Sequence, residues 1–148
     1  DNLNLFMDQV VRSRKDYKGS GNPTLFTTET MLADMLLVRD TQGHRIYKDV
    51  DELRTALLVK DIVTVPVMDG ISRSVTADSI TTTYNLLGIL VNLSDYGVGA
   101  DKGGAINMFD DFDINYNKQL YLIETRCSGA LRTPYSAVVF EKQVPVAG

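Results

Sequence analysis

The sequence predicts an α+β fold, and three observations predict it. Apolar residues recur at helical spacing in three short stretches within the first 60 residues. The remainder carries several β-branched and aromatic runs separated by turn residues. The helical stretches come first and the longest strand candidates last, so the sheet is expected to be completed late in the chain. A chain of 148 residues with 44% hydrophobic and 23% charged residues can bury a core without disulfides or metals.

Leu3, Phe6 and Val10 lie on one helical line with Met7 and Val11 beside it, which predicts a helix over 3–14. Arg12, Arg14 and Lys15 close it with cations at the negative end of the helix dipole, and Gly19 and Gly21 stop it. A short strand is expected over 23–27. Thr28 is placed to cap a second helix, over 28–38, that buries Met31, Leu32, Met35 and Leu36. The polar run Arg39-Asp40-Thr41-Gln42-Gly43 then reads as a turn or loop. A third helix is expected from Asp49 to about Val59, with Val50, Leu53 and Leu57 inward.

The β-branched run 62–68 contains Pro66, which removes a backbone donor and suits an edge strand or a strand end; Asp69-Gly70 closes it with a turn. Residues 72–83 are rich in Ser and Thr and predict a surface loop or irregular extension. A buried strand is expected over 86–93, a glycine-rich loop over 97–104, and strands over 105–109, 119–127 and 135–141. The chain has no internal repeat and no low-complexity tract.

Composition excludes several classes of function. A net charge of −4 argues against a sequence-independent phosphate-binding surface, so no specific nucleic-acid binding is expected. The single cysteine, Cys127, cannot form an internal disulfide. No apolar run approaches the roughly 20 residues that cross a bilayer, and no membrane partner is expected. Asp1-Asn2-Leu3-Asn4 has neither a basic signal region nor an initiator Met, which suggests an excised fragment.

The motifs that could carry chemistry fail on their spacing. In Gly97-Val98-Gly99-Ala100-Asp101-Lys102-Gly103-Gly104, Lys102 stands where a dinucleotide fingerprint needs glycine, and no Ser or Thr follows the lysine as a P-loop requires. A loop whose glycines permit positive φ is expected instead. Counting a calcium loop from Asp113 gives oxygens at Asn115, Asn117 and Glu124, but Lys118 replaces the glycine of the sharp turn. Phe112, Ile114 and Tyr116 alternate with polar residues, so a half-buried strand with a solvated acidic face is expected there.

His44 sits in a polar loop, and nothing in the sequence brings it to Cys127 as a catalytic dyad. Gly70-Ile71-Ser72-Arg73-Ser74 lacks the second glycine of a nucleophile elbow. The expectation is a protein that is not an enzyme, with no catalytic, cofactor-binding or metal-binding residue and no cofactor. Tyr84, Tyr96, Tyr116, Tyr121 and Tyr135 are numerous enough to anchor an interface, with ordinary packing as their default role.

One ordered set of short motifs goes further. Asn22-Pro23 followed by a helix, then Leu37-Val38-Arg39-Asp40 with Gly43, Ile46 and Tyr47, then Ile62-Val63-Thr64-Val65-Pro66-Val67, resembles the major capsid proteins of tailed bacteriophages and prophages, the Hong Kong 97-like fold. In that family an Asn-Pro strand, a helix, a Lys/Arg-Asp-x-x-Gly turn and a Val-Pro strand follow one another in the axial domain at the capsomer centre. Ala100-Asp101-Lys102-Gly103-Gly104, Met108-Phe109-Asp110-Asp111-Phe112-Asp113 and Glu124-Thr125-Arg126-Cys127-Ser128-Gly129-Ala130 are similar to the C-terminal region of prophage head proteins of this group.

The resemblance implies an axial domain over about 1–104, and over about 105–148 the strands that complete the sheet and return to the peripheral domain. It implies a structural subunit whose partners are other copies of itself, in pentamers and hexamers that enclose DNA, with a scaffold protein as an optional further partner. It places the protein in the virion, and in the bacterial host cytoplasm before assembly. The family's N-terminal arm, extended loop and spine helix would precede Asp1, so this stretch alone is expected to be monomeric or weakly associated. Some relatives cross-link their subunits covalently, but no residue pair here is assigned that role. The alternatives are an encapsulin-like protein shell, which shares the fold, and a soluble ligand-binding α+β module, which needs a deep pocket lined with convergent polar groups.

Overall fold

A computed structural model of the chain describes residues 2–100, 107–124 and 126–145. These residues are mixed α and β, with three α-helices and nine strands among them. They divide into two compact units, one made of Asp1–Asp95 with Thr133–Gly148 and the other of Tyr96–Arg132. The chain thus leaves the first unit after Asp95 and re-enters it at Thr133.

In the first unit, α1 (Asn2–Arg12) buries Phe6, Met7 and Val10 and runs into a 3-10 turn at Ser13–Lys15. The Ser13 hydroxyl donates back to the Val10 carbonyl at 2.8 Å. β1 (Thr24–Thr27) follows, then α2 (Glu29–Leu36), whose first turn is capped as expected by Thr28 accepting from the Met31 amide at 3.2 Å. α3 (Val50–Leu57) starts at a cap in which Asp49 accepts from the Glu52 amide at 2.9 Å, while the Glu52 carboxylate accepts from the Lys48 amide just before the cap at 2.9 Å. It ends on Leu58, held at φ 58° in the left-handed region where glycine is usual.

β2 (Ile62–Thr64) pairs in parallel with β1 at the sheet edge, the position its proline-terminated sequence suggested. Pro66 opens a 3-10 turn over Pro66–Met68 rather than extending the strand, because it has no N–H to give a neighbour. Gly70 makes the following turn at φ 76°.

Residues 72–83 are not a loop. β3 (Ser72–Ala77) and the first part of β4 (Ile80–Val91) form an antiparallel hairpin with Ala77 opposite Ile80. The two connecting residues, Asp78 and Ser79, both have positive φ (50° and 65°), the signature of a turn whose twist matches the strands. The Ser and Thr content that suggested a loop instead builds a hydroxyl ladder, Ser74 to Thr83 at 3.1 Å and Thr76 to Thr81 at 3.0 Å. On the other face of the hairpin, Arg73 reaches across β4 to Glu141 in a two-pronged contact, with both Nε–Oε1 and Nη2–Oε2 at 2.7 Å. Its guanidinium also lies 5.3 Å from the Tyr84 ring centroid.

β4 is the spine of the main sheet. β3 and β1 bond to successive parts of it, and β9 (Ala137–Gln143) bonds along it from Tyr84 to Val91, with a register shift between Leu86 and Gly88. Strands run in the order β2-β1-β4-β3, and β9 pairs β4 separately. Cross-strand register puts Ile62, Leu25, Leu90 and Val138 in one row. Their row meets Phe6, Val10, Met35, Leu53 and Leu57 from the three helices in a single core. Phe6 packs edge-on against Phe140, centroids 5.6 Å apart. Gly88 makes room for that contact, since a Cβ there would lie 3.1 Å from the Phe26 carbonyl oxygen and 3.7 Å from the Phe6 ring.

Leu53 is fully buried in this core, so Leu53→Ala should destabilise the first unit by about 2–5 kcal/mol in urea unfolding. The Arg73 guanidinium, through its hydrogen bonds, holds the Glu141 carboxyl below its ordinary 4.5. A depressed carboxylate adds stability above that ordinary value and loses it as pH falls through the folded value. Glu141→Gln should therefore lower stability at neutral pH, with the difference closing at pH well below 4.5.

Candidate functional site

The second unit is a nested pair of antiparallel ribbons. β5 (Tyr96–Ala100) pairs β8 (Cys127–Leu131), and between them in sequence β6 (Asn107–Asp113) pairs β7 (Lys118–Glu124). The first half of the glycine motif is therefore strand and not loop, and 101–104 lie outside the described residues. Gly97 and Gly99 are not among the positive-φ glycines. Close approach explains one of them: a Cβ on Gly97 would lie 2.9 Å from Arg132 side-chain carbons. On the partner strand, a Cβ on Gly129 would overlap the Tyr96 ring. An aromatic ring lying over a cross-strand glycine restores the contact area that the glycine lacks.

The calcium count from Asp113 is not realised. Asp113 stands at the turn end of the ribbon opposite Lys118, and Glu124 stands at the far end opposite Asn107. Six residue steps of extended chain, about 20 Å, separate Lys118 from Glu124. The Asp113 carboxylate instead caps its own turn by accepting from the Asn115 amide at 3.0 Å, and Glu124 contacts Arg126 at 3.1 Å. No cluster of three or more His, Cys, Asp or Glu side chains able to hold a metal ion occurs among the described residues.

His44 Nδ1 lies 3.5 Å from Asp40, whose carboxylate also accepts from the Gln42 and His44 amides. His44 belongs to the first unit and the exposed Cys127 to the second. Ser72 and Ser74 lie in β3, with Ser74 bonded to Thr83. In the first unit an open cleft of about 360 Å³ lies between α1, α2 and β9, lined by Phe6, Met31 and Leu87 with Asp34, Glu141 and Lys142 at its polar side. Its best-placed anion, Glu141, is already occupied by Arg73. No helix among the described residues is long and apolar enough to cross a membrane.

The feature that stands out is apolar surface without cover. The segment expected as a half-buried strand stops at Asp113 and turns, with Asn117 at φ 48°. Ile114 (81% exposed) and Tyr116 (73%) sit at the tip, and Phe112 is exposed as well. Opposed residues in an antiparallel pair share a face. The register therefore places Phe109, Leu120 and Leu122 on one face of the β6–β7 ribbon and Met108, Phe112, Tyr121 and Ile123 on the other. All seven are more than half exposed.

A ribbon buried on one face alternates apolar with polar, whereas this one carries large apolar side chains on both, with Asp110 among them on one face and Asp111 on the other. Three partly exposed aromatic rings, Phe109 on one face and Phe112 and Tyr121 on the other, stand among these residues, a cluster rather than singly scattered surface residues. A second apolar row crosses the main sheet on the face away from the helices, where Val63, Phe26, Ile89 and Val139 stand in register, the outer two exposed and the inner two half-buried. Among the tyrosines, Tyr121 and Tyr116 belong to the ribbon surface, Tyr84 packs under Arg73, and Tyr135 is exposed beneath the Lys18 ammonium. The signal for a two-sided ribbon was present in the sequence: Leu120-Tyr121-Leu122-Ile123 is unbroken by any polar residue.

Comparison with protein-family models, with curated proteins and with solved structures gives no match.

Two outcomes follow from these placements. Millimolar Ca²⁺ or ATP should leave the melting temperature unchanged, since a ligand selective for the folded state would raise it by mass action. Tyr121→Lys with Ile123→Lys should reduce binding of a hydrophobic dye and concentration-dependent light scattering. Urea stability of the first unit should stay within about 0.5 kcal/mol, as for other surface substitutions.

Proposed function

We propose that this protein is a structural subunit of a phage or prophage head with the Hong Kong 97-like fold, and that it works by assembly and not by catalysis. The observation that carries the reading is the β6–β7 ribbon, which exposes large apolar side chains on both faces. An isolated two-stranded hairpin is marginal in water, and large exposed apolar patches mark protein–protein contact. In a shell such surfaces are buried between packed protein layers. The apolar row Val63, Phe26, Ile89 and Val139, with its outer two residues exposed, supports the same reading from the other unit.

The ordered motifs add to it. The Asn22-Pro23 lead-in to β1, the Arg39-Asp40 turn with Gly43, and the Val65-Pro66 end of β2 occur in the order that the capsid resemblance expects. The partners are then other copies of the subunit in pentamers and hexamers, with a scaffold protein as an optional further one. The location is the virion, preceded by the host cytoplasm.

The test is assembly of the intact gene product, followed by light scattering and electron microscopy. Rings or closed shells are expected, and Phe112→Lys with Tyr121→Lys should abolish them while far-ultraviolet circular dichroism stays unchanged. An intact protein that stays monomeric under every condition, including with its cognate scaffold, overturns the reading.

A further inference from the structure

The two places where the chain crosses between units, after Asp95 and before Thr133, are fastened to one short loop of the first unit. The Asp95 carboxylate is buried and makes no ion pair among the described residues. Both its oxygens are instead taken by Ser20, the amide donating to Oδ2 at 2.7 Å and the hydroxyl to Oδ1 at 2.8 Å. Asn92, three residues before Asp95, donates to the Ser20 carbonyl at 2.7 Å. The Tyr17 hydroxyl donates to that same carbonyl at 3.1 Å. On the returning strand, the Lys18 amide donates to the Tyr135 carbonyl at 2.9 Å, and the Lys18 ammonium lies 5.7 Å from the Tyr135 ring centroid.

Two backbone features show how tightly this is drawn. A Cβ on Gly19 would overlap both the Tyr17 hydroxyl and an Asp95 carboxylate oxygen, so any side chain there would push these two groups out of place. Tyr135 is held at φ 59°, a conformation that costs a non-glycine residue about 1–2 kcal/mol. Beside it the fully buried Ser136 donates to the Thr133 carbonyl at 2.7 Å.

We propose that the loop of Tyr17, Lys18, Gly19 and Ser20 is a clamp that holds the two ends of the Tyr96–Arg132 excursion together and keeps its first strand pairs closed. The physical need is plain. Bringing the ends of a long excursion together costs chain entropy that grows with its length, and a two-stranded ribbon returns little to offset it. Hydrogen bonds to a buried carboxylate are stronger than those between neutral groups, so the two from Ser20 offset part of that cost locally. The pairs nearest the clamp are Tyr96 with Leu131 and Gly97 with Ala130. They should be the ones that open when it is lost. The inference concerns this chain's own opening and stands whether or not the shell reading does.

The test is amide hydrogen exchange, followed residue by residue by NMR, on the chain and on Ser20→Ala, Asp95→Asn and Ser20→Thr. Ser20→Ala and Asp95→Asn should speed exchange in β5 and β8 by about tenfold, the rate equivalent of ~1.4 kcal/mol of local opening. Leu25 and Leu90, in the core of the main sheet, should change by less than about twofold on the same logic of local opening. Ser20→Thr keeps the hydroxyl and should restore slow exchange. Val59→Ala, a core substitution away from the clamp, should raise exchange without favouring β5 and β8. The proposal is overturned if β5 and β8 show no protection in the unsubstituted chain. It is equally overturned if Ser20→Ala and Asp95→Asn leave them unchanged or accelerate all protected amides by one common factor.

Discussion

The twelve-residue strand β4 pairs with three other strands, and the first unit depends on that arrangement. A strand that serves β3 and then β1 along one edge, with β9 along the other, must be longer than its neighbours and must change character along its length. Its first half is hydroxyl-rich and pairs with a solvated hairpin. Its second half, Gly88 to Val91, lies under the helices. Gly88 stands at the transition, where the register against β9 shifts and Phe6 of α1 comes down onto the sheet. With that face fixed, the positions of α1, α2 and α3 follow from the row Ile62, Leu25, Leu90 and Val138 that they have to cover.

The same strand explains why the segment before it is ordered. β3 has every residue exposed and would have little reason to pair by burial alone. It is held instead by polar cross-strand chemistry: two hydroxyl pairs on one face and the Arg73–Glu141 contact on the other, which spans from β3 over β4 to β9. An exposed ion pair of this kind is usually worth little. Here it is two-pronged and backed by the Tyr84 ring, and it ties together strands far apart in sequence.

The second unit follows a different rule. Its strands are paired two by two, its apolar residues point to both faces, and Gly97 and Gly129 lie under a long basic side chain and an aromatic ring. Such an element obtains its stability from what covers it and from how its ends are held. The proposed role in a shell speaks to the first requirement and the proposed clamp at Ser20 and Asp95 to the second.

What the sequence determined by itself was local. Thr28 and Asp49 announced their helices because a side-chain oxygen two or three residues from a free amide needs nothing distant to act. The helical stripes of Phe6, Val10, Leu53 and Leu57 were legible because period 3.6 is written within one segment. Pro66 marked a strand end for the same reason. Pairing between distant segments decided the rest. Residues 72–83 and Gly97 to Ala100 read as loops because Ser, Thr and Gly carry little apolar signal, and only their partners, 80–85 and 127–131, made them strands. Phe112, Ile114 and Tyr116 alternate as a one-sided strand would, yet a turn after Asp113 divides them, and register against β7 gives the ribbon two apolar faces. Register and burial are relations between residues far apart in the chain, so they are set when the chain closes on itself.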